Sequence, residues 1–270
     1  MEWAAYLGIG ALVGFAAGLL GIGGGVVMVP LLVLVFTAHQ MPPAHVLHLA
    51  LGTALAAMVF TSLSSMRAHH THGAVDWKIA RAMSPGMLAG SFGAALVAGV
   101  IPTRALAMVF TAFVFYAATS ILLDLRPSST RELPGPAGIF AAGAVIGAIS
   151  SLLAAGGAFI TIPFLAWCKV PLRRAIGTAA ANGLPIAIAG TAGYVLQGWR
   201  VPGLPAPSVG YIYLPALALV VTTSMLAAPL GARLEFNQRL ADILALRGKC
   251  SSPLCVFGFI PEQVPVLFHV

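Results

Sequence analysis

Charge is the scarcest commodity in this sequence. Only 8% of its 270 residues are charged, and seven are carboxylates: Glu2, Asp76, Asp124, Glu132, Glu235, Asp242 and Glu262. A soluble domain carries about 25% charged residues, so a water-facing surface cannot be built from this composition. None of the seven acids falls inside a long apolar run, which excludes an intramembrane aspartyl dyad. HExxH is missing, and Ser150 and Ser151 lack the Gly-x-Ser-x-Gly elbow of a serine hydrolase. No enzyme is expected.

The three cysteines, Cys168, Cys250 and Cys255, have neither zinc-finger nor CxxC spacing, and an odd number suits no disulfide framework. No metal and no cofactor is expected. The segment Met1-Glu2-Trp3 lacks the Lys or Arg of a signal-peptide n-region, so the first apolar segment is expected to be retained. The 14 basic residues give a net charge of +7 but sit singly or in pairs, without a basic face, so nucleic acid is not an expected partner.

Apolar sequence is what is present. It makes up 59% of the chain, and no Asp, Glu, Lys or Arg interrupts residues 3 to 66 or 133 to 168. A spanning helix needs roughly 20 residues, so each stretch has room for more than one membrane segment. Five ordinary spans are expected near 44–66, 82–101, 105–123, 175–196 and 209–230. Two longer runs, 4–38 and 138–168, are interrupted by glycine at Gly21 to Gly25 and at Gly156-Gly157. Glycine costs a helix interior about 1 kcal/mol relative to alanine, so each cluster predicts a break. Backbone freed by a break inside lipid survives only where protein buries it or a wet cavity meets it.

The basic residues discriminate between topologies. If each broken run enters and leaves on one side, 12 basic residues fall on that side of the loops holding Arg67 to Arg81, and only Arg104 and Arg200 on the other. Treating each broken run as one crossing splits them 6 against 8. The positive-inside rule selects the hairpin parity, with the amino terminus outside and the loops around 67–81, 124–136 and 169–174 in the cytoplasm.

A shift of 133 residues lays GFAAGLLGIGGGVVMVP (14–30) on GAISSLLAAGGAFITIP (147–163), with six identities in 17 positions and four further small-for-small pairs. Gly52-Thr53-Ala54 likewise meets Gly177-Thr178-Ala179. The expected architecture is an all-α polytopic transmembrane bundle of two inverted repeats, each opening with a glycine-broken helix. Its parts are a first repeat (1–125), a cytoplasmic linker (126–136), a second repeat (137–234) and a tail (235–270). Paired broken helices in inverted repeats mark secondary transporters, with the solute near the midplane.

GLLGIGGGVVMVPLLV, ALGTALAAMVFTSLSS and HGAVDW, then GGAFITIPF, AIGTAAANGLPIAIAGTAGY and YIYLPALALVVTTSMLAAPLGARL, resemble the TauE/SafE (TSUP) sulfite exporter family from about residue 5 to Leu234. The resemblance implies a multi-pass inner-membrane permease for sulfite, sulfonates or related organosulfur anions. Members usually continue with another spanning helix after Leu234. Here follows a stretch whose apolar part, 254–270, contains Pro261, Glu262, Gln263 and Pro265 and makes a poor span. A frame-shifted or truncated end and a cytoplasmic or interfacial tail all account for it.

Gly21, Gly23, Gly24, Gly25, Gly156 and Gly157 are the candidate binding residues. A dinucleotide loop is excluded, since it needs a preceding strand and an acidic residue about 20 positions on. Close helix packing is the plainer reading of any one glycine. A break, however, frees N–H groups at the positive end of the next helix, an anion site without a charged side chain. Val26 to Phe36 and Phe159 to Trp167 are the expected second halves, with Pro30 and Pro163 in their first turns.

Thr53, Thr178 and Asn182 are the candidate supporting groups. The threonines equally fit back-bonding to their own helices, while an unpaired Asn182 is costly in apolar surroundings. His45 and His48 suit an interfacial position, proton coupling or a metal. His69, His70 and His72 fit a solvated loop better than an adventitious metal site. The expected partners are a small anionic solute and the lipid bilayer, with a homo-oligomer left open. An anion channel and a non-transporting membrane subunit are the alternatives to a carrier.

Overall fold

The computed structural model describes residues 2–20, 24–122, 132–199 and 201–227. Both long apolar runs are broken where the glycines lie. The first forms α1 (Glu2–Leu20) and α2 (Gly25–Ala38), the second α6 (Pro136–Leu153) and α7 (Ala158–Trp167). Between them run α3 (Val46–Thr71), α4 (Trp77–Ala98) and α5 (Thr103–Leu122). After them come α8 (Leu172–Gly198) and α9 (Leu214–Ala227). The protein is an all-α polytopic membrane fold. α3, α6, α8 and residues 103–120 of α5 are long and apolar enough to cross a bilayer.

Three expectations need correction. The run expected at 209–230 opens as a hairpin: β1 (Ser208–Val209) pairs antiparallel with β2 (Ile212–Tyr213) around Gly210, and the helix begins only at Leu214. Pro205 and Pro207 just upstream cannot donate to a helical ladder, which delays the start. α3 continues to Thr71, so His69 and His70 stand on its last turn instead of in a loop. His70 accepts the Trp77 indole N–H at 3.1 Å. Pro30 and Pro163 are each the sixth residue of their helix, one residue deeper than the expected starts at Val26 and Phe159 made them and so just past the first turn. Each removes an N–H, so the Val26 and Phe159 carbonyls lose their partners.

Each broken run doubles back. Tyr6, early in α1, meets Phe36, late in α2, at 6.3 Å between ring centroids, and both meet Tyr213. In the second run Ile139 and Ile146 of α6 join one apolar cluster with Phe164 and Leu165 of α7, beside Ile79 and Cys168. The first hairpin thus opens toward Tyr213 and the second toward the start of α4. Those are opposite ends of α3 and α8, since Tyr213 adjoins Thr53 and Asp76 adjoins Thr178.

Contacts between the halves are exchanged in kind. α1 lays Gly10 and Gly14 on Val220 and Ser224 of α9, and α6 lays Gly143 and Gly147 on Met83 and Met87 of α4. A Cβ on any of these four glycines would stand within 2.7 Å of facing backbone. Small residues are what let membrane helices approach this closely. Gly90→Leu, whose first added carbon would sit 1.9 Å from the Ala144 carbonyl oxygen, is expected to cost about 3 kcal/mol through overpacking. Gly93→Leu is the control on the same helix, because nothing lies within 4 Å of its Cβ. Thermal unfolding in detergent separates the two.

Candidate functional site

The hairpin tips meet inside the bundle. Gly24 caps α2 in the left-handed region at φ 67° and ψ −15°, and Gly157 caps α7 at φ 74° and ψ −25°. These are the positions matched by the 133-residue shift, and glycine alone adopts such a backbone without steric cost. The first helical bonds repeat as well: Val27 and Met28 donate to the Gly24 carbonyl, Ile160 and Thr161 to that of Gly157. The N–H groups ahead of them have no intrahelical acceptor. Gly21 and Gly23 lie outside the described residues.

Gly25 abuts the other break directly, since a Cβ there would sit 1.9 Å from the Ala154 carbonyl oxygen and 2.8 Å from Met58 Sδ. The carbonyl end of α6 is thereby covered by α2. Around Gly157 the surroundings are hydroxyl-bearing: Thr161 Oγ1 and Ser150 Oγ lie 3.7 and 3.8 Å from where its Cβ would be. Gly156, at φ 67°, turns its carbonyl toward Gly183 of α8, next to Asn182.

Ser150, Ser151, Thr161 and Asn182 are wholly buried. The three hydroxyls and Asn182 Oδ1 have no hydrogen-bond partner among the described residues. The Asn182 amide nitrogen reaches only Met83 Sδ, at 3.6 Å. Elsewhere hydroxyls in these helices bond back to their own carbonyls, as Ser84 does to Ala80 and Thr223 to Leu219. Buried polar groups are almost always satisfied; Ser150 Oγ and Thr161 Oγ1 lie beside the start of α7, while Ser151 Oγ faces Gly190 of α8, so the two hydroxyls at Gly157 are groups available to a ligand. The matching positions of the first repeat carry no hydroxyl: the shift of 133 pairs Thr161 with Met28, and Ser150-Ser151 with Ala17-Gly18.

Thr53 and Thr178 stand elsewhere. Thr53 Oγ1 accepts the Tyr213 N–H and Thr178 Oγ1 the Asp76 N–H, both at 3.0 Å. Beside them Gly52 packs on the Tyr211 carbonyl and Gly177 on that of Ala74. Each threonine ties its helix to backbone of the other half, at opposite ends of the bundle. Hollows of about 290 and 180 Å³ lie near the β-hairpin, the larger lined by Gly198, Trp199 and Gly210, the smaller by Trp3, Tyr6 and Tyr213. They are remote from the tips, and the orphaned hydroxyls at Gly157 carry more chemical information than either hollow.

Sequence reasoning missed Thr161 and weighed Ser150 and Ser151 only as hydrolase nucleophiles and as small residues, not as binding groups. The signal that could have found them is the repeat itself, at the positions where its second copy gains hydroxyls.

Comparison with known proteins fits this architecture. The family model described as sulfite exporter TauE/SafE matches residues 6–245. A "Probable membrane transporter protein" of Haemophilus influenzae is 35% identical over 226 residues, 83% of this chain and 85% of that protein. The "Probable membrane transporter protein YdhB" of Bacillus subtilis is 31% identical over 197 residues, covering 70% and 77%. A relative of the same description in Methanocaldococcus jannaschii is 27% identical over 263 residues, 93% and 91% of the two chains. No solved structure matches. With a family match across both broken helices and relatives aligned along most of their length, the chain belongs to the sulfite exporter TauE/SafE family and is a multi-pass membrane transporter.

Proposed function

We propose that this transporter moves a small oxyanion, sulfite or a sulfonate or related organosulfur anion, across the bacterial inner membrane by alternating access. The solute is held at the second break by the free N–H groups at the start of α7, the hydroxyls of Ser150, Ser151 and Thr161, and the Asn182 amide. The observation that carries this reading is the pair of buried, unpartnered hydroxyls beside Gly157, those of Ser150 and Thr161. Three hydroxyl donors and a helix start offer an anion hydrogen bonds without the desolvation cost of a buried cation. The substrate class is drawn from the family's description, and the neutral donor set is compatible with it.

The halves are read as inverted repeats. Exchanged contacts, α1 on α9 and α6 on α4, Thr53 on Tyr213 and Thr178 on Asp76, are what a two-fold relation produces. Hairpins opening at opposite ends support a two-fold axis lying across the bundle. Among the described residues the basic side chains Arg67, Lys78, Arg81, Lys169, Arg173 and Arg174 share one end, and Arg104 lies at the other, which supports a cytoplasmic Asp76 end. Several residues used for the 12-to-2 division, Arg126, Arg131, Arg200 and those beyond 227, lie outside the described residues.

Reconstituted proteoliposomes test the proposal. Labelled sulfite or a small sulfonate should enter with saturation and show counterflow against unlabelled solute. Unsaturable flux without counterflow would replace the carrier with an anion channel, and no flux of any of these anions would remove the assigned substrate class.

A further inference from the structure

The two exchanged contacts at the bundle ends differ at one position. Counting 125 residues from His48 reaches Arg173, by the same offset that pairs Gly52 with Gly177 and Thr53 with Thr178. The Arg173 guanidinium is exposed and donates to the His72 carbonyl at 3.0 Å, so at the Asp76 end a permanent cation of the second half grips backbone of the first. At the opposite end His48, 3% exposed, stacks on Tyr211 of the second half with 5.1 Å between rings and 30° between planes.

The His48 ring sits between acceptors. Nε2 lies 3.0 Å from the Ala98 carbonyl oxygen and therefore carries hydrogen. Nδ1 lies 3.3 Å from Thr103 Oγ1, but the hydroxyl's single hydrogen goes to its closer neighbour, the Ala44 carbonyl. That network is complete only when the imidazole bears two protons. A neutral ring instead sets Nδ1 and the Ala44 carbonyl in competition for one hydroxyl hydrogen. Two titratable groups face the ring, His45 from its own helix and Tyr211 from the hairpin, with Tyr194 behind Tyr211. α4 offers the Ala98 carbonyl, α5 offers Thr103, and the neighbouring Arg104 is exposed. Residues 39–52, 97–106 and 194–215 contain no carboxylate to share the proton.

We infer that His48 is a proton-binding site of this transporter, supplying by protonation at the Tyr211 end the cation that Arg173 supplies permanently at the Asp76 end. The proton comes from water at that end and returns to it when the ring is uncovered. Bound, it strengthens the His48–Tyr211 stack as a cation–π contact and commits Thr103 to Ala44, closing the contact between halves. Released, it loosens both.

The inference rests on the transport reading, so the test has two arms. In the first, protein labelled at histidine nitrogens is placed in lipid nanodiscs, and the His48 signals are identified by their loss in His48→Gln. The expected result is a ring that takes up its second proton between about pH 5 and 8, with a midpoint displaced in Thr103→Val. A ring that stays neutral over that range overturns the inference, whatever happens at the solute site. In the second arm, labelled sulfite uptake into proteoliposomes is compared with and without an imposed pH difference. Wild type is expected to respond by about tenfold, and His48→Gln to keep counterflow while losing the response. A His48→Gln protein that still responds, or a wild type that never does, overturns the inference. Absence of counterflow in wild type instead removes the transport reading and leaves the nitrogen titration to judge His48.

Discussion

Gly157→Ala is expected to lower solute transport by about 100-fold or more while the protein still folds, and Gly157→Leu to abolish it. The added carbon enters between Ser150 Oγ and Thr161 Oγ1, at 3.8 and 3.7 Å, and occupies the space over the first N–H groups of α7. Its one severe contact, 2.6 Å to Ile186 Cδ1, is with the far end of a flexible side chain. A left-handed backbone at φ 74° adds about 1 to 2 kcal/mol of strain for a non-glycine residue. That is tolerable for a folded membrane protein but not for a site whose donors are blocked.

Gly25→Leu separates packing from binding. Its Cβ would fall 1.9 Å from a backbone carbonyl oxygen, that of Ala154, which cannot swing aside. The two hairpin tips must part, so this variant is expected to lose both thermal stability and transport. Gly93→Leu should leave both unchanged. Initial rates of labelled sulfite uptake, set beside melting temperatures in detergent, check all three. A fully active Gly157→Leu protein would remove the second break from the binding site.

Much of this was readable before any coordinates. A glycine cluster inside an otherwise charge-free apolar run has few physical meanings, and the start of α2 at Gly25 lies one residue from the expected Val26. The hairpin parity was carried by arginines and lysines alone, and the Tyr6–Phe36 contact agrees with it for the first run. What stayed hidden depends on partners far away in sequence. Thr53 and Thr178 find their donors 160 and 102 residues off, at Tyr213 and Asp76. Periodicity within one segment carries no trace of such pairings. The β-hairpin at 208–213 was hidden because Ile212, Tyr213 and Leu214 continue an apolar run without a change of composition. Ser150 and Ser151 were concealed by their size, which matches the small residues they replace in the first copy.

The hydroxyls at the second break are expected to trade stability for function in opposite directions. A buried hydroxyl without a partner costs about 1 to 3 kcal/mol of desolvation, and Ser150, Ser151 and Thr161 each leave one unpaired among the described residues. Replacing all three (Ser150→Ala, Ser151→Ala and Thr161→Val) removes that cost while nearly preserving shape, so the melting temperature should rise. The same change takes three donors from a bound anion. A hydrogen bond to a charged group contributes about 1.5 to 3 kcal/mol, or roughly tenfold to a hundredfold in affinity. The half-saturation concentration for sulfite should therefore climb by at least about 100-fold, even allowing for the non-additivity of neighbouring changes. Changes at residues that serve only packing would lower stability and affinity together. A triple variant that is more stable and transports as well as wild type would mean that the solute binds elsewhere, whereas a less stable one would mean that the hydroxyls already have partners in the resting protein.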